Sequence, residues 1–378
     1  MSDTTAKTIW IIAGETSGDG YGASLAKELR AQSPSVVLRG MGGVKMREAG
    51  VETFVDSTEL GIIGIWEAIK HIFFFMRLLK EVAKRASEER PDTVVLIDYP
   101  GFNLQLAKRL HKLGIRVVWY VSPQVWAWRT GRIWKLAKYC ERMLCIFPFE
   151  PECYAPTTLK AEFVGHPLFG ILKPYRELPI QRQDDLVLLL PGSRRQELQR
   201  LMPAFLDAAR RLHQDHPQLR FEFALPRPAI LDYAKELVSQ NPLPVDMPEF
   251  TWSCGSTRER MRAGSCAIAA SGTVTVEAAM LGLPVVVAYK INGFSWWIGK
   301  KLVKINTITI ANLVCKRTVF EEDLQDDCTG EKLAESLEKI LPTGTRRQEV
   351  LAGMDEFTKQ LGAAGDVSQN VARIVLEG

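Results

Sequence analysis

Thr8-Ile9-Trp10-Ile11-Ile12 is a short β-rich run that leads into Gly14-Glu15-Thr16-Ser17-Gly18-Asp19-Gly20 and then into a helical pattern. Strand, glycine-bearing turn and helix in that order open a βαβ unit and a parallel sheet. The same texture recurs at Val36-Val37-Leu38, Val94-Val95-Leu96-Ile97, Val117-Val118-Trp119-Tyr120-Val121 and Met143-Leu144-Cys145-Ile146. A polar, proline-bearing stretch from Lys173 to Asp185 interrupts it, and a second series begins at Leu186-Val187-Leu188-Leu189-Leu190. That series continues through Leu219-Arg220-Phe221-Glu222-Phe223, Cys266-Ala267-Ile268-Ala269 and Pro284-Val285-Val286-Val287-Ala288, with a helical tail after Arg346. The expected class is α/β, with two doubly wound, Rossmann-like domains facing an interdomain cleft. Residues 1–172 form the first, 186–345 the second, and 346–378 a helical segment crossing back to the first.

The 378 residues, 46% hydrophobic and 24% charged, suit two globular domains. Lys plus Arg number 48 against 44 Asp plus Glu, and a net charge of +4 is too small for a generic nucleic-acid binder. The run Ile72-Phe73-Phe74-Phe75-Met76 falls far short of the roughly 20 apolar residues of a membrane-spanning helix. With no secretory signal read at the start, a cytoplasmic location is expected. The seven cysteines contain no CxxC pair, which argues against a disulfide framework and a structural zinc site.

In open α/β sheets ligands lie beyond the carboxyl ends of the strands, so the residues just after each run are the candidates. The glycines at 14, 18, 20 and 22 allow close backbone approach but do not spell the dinucleotide fingerprint, which lowers a dehydrogenase reading. Ser17 or Asp19 could instead simply cap the helix. Asp98 follows its strand directly and could take a proton from a sugar hydroxyl; Glu15 is the competing base. Pro191-Gly192-Ser193-Arg194 is a phosphate-type loop lacking the Walker lysine, with small residues exposing N–H groups and Arg194 offering a forked cation to a diphosphate. Ser271-Gly272-Thr273 forms a second anion-friendly loop, and Glu277, four residues beyond Thr273, can accept both hydroxyls of a ribose. Two such loops and one acid in one domain point to a nucleoside diphosphate.

Between Ile62 and Arg85, Ile62, Ile65, Trp66, Ile69, Phe73, Phe74 and Met76 stand among Lys70, Arg77, Lys80 and Lys84. Phe73, Phe74 and Phe75 cannot all face one core, so this helix is expected either in a membrane interface or buried between domains. Phe294-Ser295-Trp296-Trp297, followed by Lys300, Lys301 and Lys304, is a second candidate for the interface. Trp126, Trp128 and Arg129 mix indoles with a cation and read as a wall shaping an acceptor pocket or as interdomain packing, with nucleic-acid stacking the weaker alternative.

Taken together, Ala13-Gly14-Glu15-Thr16-Ser17-Gly18-Asp19, the Asp98 segment, Tyr120-Val121-Ser122-Pro123-Gln124-Val125-Trp126-Ala127-Trp128-Arg129, Leu190-Pro191-Gly192-Ser193-Arg194 and Ser271-Gly272-Thr273 with Glu277 resemble the lipid-A-disaccharide synthases. These are inverting glycosyltransferases of the lipopolysaccharide pathway in Gram-negative bacteria. Phe163-Val164-Gly165-His166-Pro167 and Asn312-Leu313 also fit. The resemblance implies a GT-B fold, with the uridine nucleotide on the second domain and the lipid acceptor approached by the first. It implies a hexosyltransferase that condenses UDP-2,3-diacylglucosamine with 2,3-diacylglucosamine 1-phosphate at the inner-membrane surface. The products are a β-1,6-linked disaccharide and UDP, formed with inversion and without a metal or other cofactor.

By the same resemblance, Glu15 and Ser17 lie near the reacting sugars, Asp98 is the preferred base, and Gly192, Ser193, Arg194, Ser271, Gly272 and Thr273 hold the diphosphate. Glu277 is at the ribose and Asn312 at the cleft. A homodimer with swapped C-terminal portions is also allowed by it. Two departures from the family pattern stand out: Ala311 where proline is usual, and Cys315-Lys316-Arg317 where a small-residue turn is commoner. Another GT-B enzyme, whether a membrane-associated UDP-sugar glycosyltransferase or a sugar-nucleotide epimerase, would keep the nucleotide loops without needing the acyl-binding face. A UDP-binding sensor would keep them without turnover.

Overall fold

The computed structural model describes residues 6–57, 68–179, 181–240, 244–291 and 307–377, apart from the side chains of residues 16 and 68–72. The chain divides into two compact units, one comprising the residues up to Gly170 together with those from Leu361 on, the other Ile171–Gln360.

The first unit is built on β1 (Thr8–Ala13), β2 (Val37–Gly42), β3 (Glu52–Asp56), β4 (Thr93–Ile97), β5 (Arg116–Tyr120), β6 (Arg142–Cys145) and β7 (Lys160–Phe163). Their order in the sheet is β3-β2-β1-β4-β5-β6-β7, and every pairing is parallel. Central strands of such a sheet are covered on both faces, which is why β4 is buried at all its positions and reads as an unbroken apolar run. Trp10, Ile12, Val94, Leu96, Trp119 and Met143 belong to the core on one face. The helix Ala68–Glu89 joins it through Leu78, Leu79, Val82 and Ala86, a stripe at helical spacing.

The second unit carries β8 (Gln183–Leu190), β9 (Arg220–Leu225), β10 (Phe250–Cys254), β11 (Gly264–Ala270), β12 (Val285–Tyr289) and β13 (Glu322–Leu324), again all parallel, in the order β10-β9-β8-β11-β12-β13. In each sheet the strand order reverses between two neighbours, β1 and β4 in the first, β8 and β11 in the second. Such a switch point opens a crevice at the carboxyl ends, where diverging connections leave room for a ligand.

Two expected boundaries shift. The polar stretch 173–185 belongs to the second unit: Arg262 donates to the carbonyls of Arg176 at 3.2 Å and Leu178 at 2.6 Å, tying the helix Lys173–Glu177 down, and β8 already begins at Gln183. The returning segment is shorter than 346–378, because Arg347 is buried and donates to the carbonyls of Ser265 and Ile340, anchoring the helix Arg347–Gly362 in the second unit as far as Gln360. From Leu361 the chain packs on the first unit. The helix Val367–Leu376 lies against the helix Thr16–Gln32, and Arg116 caps its end by donating to the carbonyls of Ile374 and Val375. All seven cysteines are free; burial pushes the Cys140 thiol up to about 12 and Cys266 to about 11, so both are unreactive.

Candidate functional site

At the switch point of the first unit Ala13 pairs with Ile97, so Gly14-Glu15 and Asp98-Tyr99 leave the sheet side by side. Asp98 at φ 46° and Tyr99 at φ 47° both occupy the left-handed region, which costs non-glycine residues about 1–2 kcal/mol each. The surroundings hold them there. Asp98 N–H donates to the Tyr120 carbonyl at 3.0 Å, and the Asn103 amide donates to the carbonyls of Ile97 at 3.2 Å and Asp98 at 2.7 Å. Strain kept in place by such over-determination clusters at functional sites. Burial, reinforced by the negative charge of Glu15, pushes the Asp98 carboxyl up to about 6, with the Tyr99 N–H pulling the other way. Glu15 is exposed at the start of the helix Thr16–Gln32, and Ser17 is exposed in its first turn.

Asp19 has a different task. Buried, it accepts from the N–H groups of Gly43 at 2.7 Å, Lys45 at 3.1 Å and Met46 at 3.1 Å, so it caps the helix Val44–Glu48 and not its own. The helix Thr16–Gln32 has no side-chain cap.

A further acid lies in the same unit. Glu150 opens the short helix after β6 and accepts from Ile146 and Phe147 N–H at 3.0 Å each. Burial pushes its carboxyl up to about 8, with the two N–H groups and the Trp126 indole opposing and Asp98 adding to the rise. The only sequence cue is an acid two residues past Phe147-Pro148, which looks like any loop. Trp126 packs edge-on against Phe149, ring centres 5.4 Å apart. Trp128 is exposed and stacks with the guanidinium groups of Arg129 at 4.6 Å and Arg132 at 5.0 Å. Phe75 turns inward against Tyr99 at 6.2 Å, whereas Phe73, Phe74 and Met76 are 75%, 46% and 59% exposed. Ile62, Ile65, Trp66 and the 294–304 patch lie outside the described residues, as does the side chain of Ile69.

In the second unit the switch point is flanked by the loops after β8 and β11, the two that carry the phosphate-type motifs. Gly192 has φ 109°, a backbone conformation that favours glycine, and it lies against the Glu197 side chain. Glu197 accepts from Ser193 N–H at 3.2 Å and Arg194 at 2.8 Å, while Arg194 remains largely exposed. Arg227, which follows β9 and whose Leu-Pro-Arg-Pro context gave no signal by itself, braces this loop by donating to the Ser193 carbonyl at 3.2 Å. On the other side Ser271 N–H bonds to the Ala288 carbonyl at 3.0 Å, Gly272 takes φ 153°, and the helix Thr273–Met280 begins. Its first N–H groups lie at the carboxyl end of β11, an arrangement suited to an anion. Glu277, one turn in, is held by a bidentate bond from Arg258, at 2.8 and 3.3 Å.

Asn312, expected at the cleft, lies on the helix Ile310–Cys315. It is buried, its oxygen accepts from Val319 at 2.8 Å and Phe320 at 2.9 Å, and its amide donates to the Phe320 carbonyl at 2.9 Å and to Thr307 and Glu322 at 3.2 Å. With both ends engaged, its side chain ties this helix to the approach to β13. Ala311 is buried inside the helix Ile310–Cys315, and Lys316 takes the left-handed position at φ 53° where a small residue would be at ease.

The two units therefore differ in chemistry. The first gathers carboxylates around Asp98, suited to accepting a proton; the second gathers Arg194, Arg227 and helix N–H groups, suited to an anionic leaving group. Among the described residues no three His, Cys, Asp or Glu side chains are grouped as metal ligands.

The family model described as lipid-A-disaccharide synthetase matches residues 9–374. Lipid-A-disaccharide synthases from Coxiella burnetii (36% identity, 98% of each chain), Geobacter sulfurreducens (35%, 100% of this chain and 98% of that one) and Koribacter versatilis (37%, 97% of each) are similar along their whole lengths. Among solved structures the chain is similar to a putative UDP-N-acetylglucosamine 2-epimerase from Listeria monocytogenes (TM-score 0.66, 13% identity, 97% of this chain and 95% of that one). It is also similar to a calicheamicin glycosyltransferase (TM-score 0.62, 13% identity, 99% of each). At such low identities these two establish the fold alone, two parallel-sheet α/β domains of the GT-B type. With the family matched over nearly the whole chain, the protein belongs to the lipid-A-disaccharide synthases and is a glycosyltransferase that forms the lipid A disaccharide.

Proposed function

We propose that Asp98 is the general base for transfer from UDP-2,3-diacylglucosamine to 2,3-diacylglucosamine 1-phosphate. Its carboxylate takes the proton of the acceptor 6-hydroxyl as that oxygen attacks the anomeric carbon. The bond from that carbon to the diphosphate oxygen breaks, UDP departs with the electron pair, and the α-linked donor becomes a β-1,6 linkage. Gly192, Ser193, Arg194 and Ser271–Thr273 meet the diphosphate, Glu277 meets the ribose, and the fixed cations and N–H groups neutralise the leaving group without a metal. Trp126, Trp128 and Arg129 line the acceptor side. Phe73, Phe74 and Met76 rest among acyl chains at the cytoplasmic face of the inner membrane, where peripheral binding brings the enzyme to its lipid substrates.

The observation that carries this assignment is the strained, half-buried Asp98, whose carboxyl near 6 is ionised at neutral pH yet more basic than an ordinary aspartate. The test is transfer between the two lipid substrates in detergent, following disaccharide and UDP by mass spectrometry, with calorimetry of UDP binding alongside. Asp98→Asn and Asp98→Ala are expected to lose about 10²–10⁴-fold in turnover and to bind UDP as the wild type does. Loss of UDP affinity in step with turnover would give Asp98 a structural role, and a dead Glu15→Gln beside an active Asp98→Asn would move the base to Glu15. UDP binding without any turnover by the wild type would point to a different donor.

A further inference from the structure

The short helix Thr257–Ala263 presents three arginines two residues apart, and each is committed differently. Arg260 makes a bidentate ion pair with buried Glu222 on β9. Arg262 donates to the carbonyls of Arg176 and Leu178. Both of these fasten the fold. Arg258 reaches instead to the helix that starts at the second phosphate-type loop: Nη2 donates to Glu277 Oε1 at 2.8 Å and Nε to Oε2 at 3.3 Å. Its guanidinium also lies 5.6 Å from the ring centre of Tyr175, on the helix Lys173–Glu177. Both partners are largely withdrawn from water, with side chains 29% and 16% exposed, so the pair is screened less than a surface bridge.

A carboxylate has about four lone-pair positions, and a forked guanidinium uses one on each oxygen. What remains is a second acceptor site on each oxygen, side by side and locked in orientation, since the fork removes the side chain's freedom to rotate. Two adjacent acceptors fit two adjacent hydroxyls. Resting on the assignment of Glu277 to the ribose, we infer that Arg258 is a positioning residue that aims the Glu277 carboxylate at the 2′,3′-diol and thereby makes the nucleotide site selective for ribonucleotides. Arg258 need not touch the nucleotide to do this. A lysine would keep the charge but not the fork, because an ammonium is a point donor.

The experiment is calorimetric binding of UDP and 2′-deoxy-UDP to the full-length wild type, Glu277→Gln, Arg258→Met and Arg258→Lys, with thermal melting of each. A hydrogen bond to a charged acceptor leads us to expect the wild type to prefer UDP by about ten- to a hundredfold. Arg258→Met is expected to bring that ratio below about threefold while affinity for 2′-deoxy-UDP changes less than twofold; Arg258→Lys should retain only part of the preference. Equal weakening of both ligands by Arg258→Met, with the ratio kept, would overturn the inference and leave Arg258 a structural tie. If Arg258→Met does not fold, Arg258→Lys decides the matter: an unchanged ratio overturns the inference and a lowered one supports it. Glu277→Gln isolates the underlying assignment. Should that variant keep the full preference, the diol is bound elsewhere and the assignment of Glu277 fails; should it lose the preference while both Arg258 variants keep it, only the role of Arg258 fails.

Discussion

The ring of Tyr99 lies so close over Gly14 that a β-carbon at Gly14 would come within 2.3 Å of its Cδ1. The loop after β1 and the loop after β4 are therefore keyed together, and Tyr99 is the residue directly after Asp98. Gly14→Ala forces the ring away and with it the left-handed Asp98-Tyr99 pair. Overpacking of this kind costs about 1–3 kcal/mol. Thermal or urea unfolding should register that loss, and turnover should drop about tenfold or more while UDP affinity, proposed to rest on the second unit, stays unchanged. A variant with normal turnover would show that the position of Asp98 is not critical.

Asp98 also predicts two opposite pH signatures. As a base it must be ionised, so turnover is expected to fall as pH drops through about 6 and to be about tenfold below its plateau at pH 5. For stability the sign reverses. The carboxyl is raised in the fold from an ordinary 3.8 to about 6, so this group favours folding most below pH 3.8, and that contribution is lost as pH rises through 6. Asp98→Asn should therefore melt higher than the wild type at pH 8, by up to about 3 kcal/mol in stability, less whatever solvent screening removes at this partly exposed site, and no higher at pH 3.5. A flat difference between pH 3.5 and 8 would show that burial does not raise the Asp98 carboxyl in the fold.

How far the sequence reveals this architecture follows from burial. The central strands β1, β4, β8 and β11 are covered on both faces and stand out as apolar runs. The four strands not legible as such, β3, β7, β10 and β13, are the edges of the two sheets. Glu52-Thr53-Phe54-Val55-Asp56 and Lys160-Ala161-Glu162-Phe163 are half-exposed and accordingly mixed in polarity. The site loops were legible because they follow the strands at the switch points. Polar residues near them were ambiguous, since a carboxylate or amide in a short polar stretch looks the same whether it meets a ligand, as proposed for Asp98, or satisfies backbone N–H groups, as Asp19 and Asn312 do. Arg258 and Arg227 were invisible because their partners, Glu277 and the Ser193 carbonyl, lie on other elements.

The aromatic run on the helix Ala68–Glu89 separates exposed from buried side chains within four residues. Phe73, Phe74 and Met76 contribute exposed apolar surface, whereas Phe75 packs against the core beside Tyr99. Replacing Phe73, Phe74 and Met76 together by Ser should leave the melting temperature nearly unchanged and reduce co-sedimentation with vesicles of anionic phospholipid severalfold. Phe75→Ser should do the reverse, with a loss of about 2–4 kcal/mol in stability and little change in vesicle binding per folded molecule. Equal vesicle binding by the triple variant would transfer the membrane role to another surface.

Asn312 provides a test of scaffold against ligand contact. Its side chain joins the N–H groups of Val319 and Phe320 to the Phe320 carbonyl, and Glu322 completes the network by accepting from Ile308 and Thr309 N–H. Asn312→Ala leaves two buried N–H groups and one carbonyl without their partner, at about 1–3 kcal/mol for each group left unsatisfied. Asn312→Asp keeps the acceptor for Val319 and Phe320 but sets a negative charge against the Phe320 carbonyl and beside Glu322. Both variants should unfold at markedly lower urea concentration. At a temperature where each is still folded, UDP affinity should remain within about threefold of the wild type, because the amide has no capacity left over for the nucleotide. A stable Asn312→Ala protein that has lost UDP binding would return this residue to the nucleotide site.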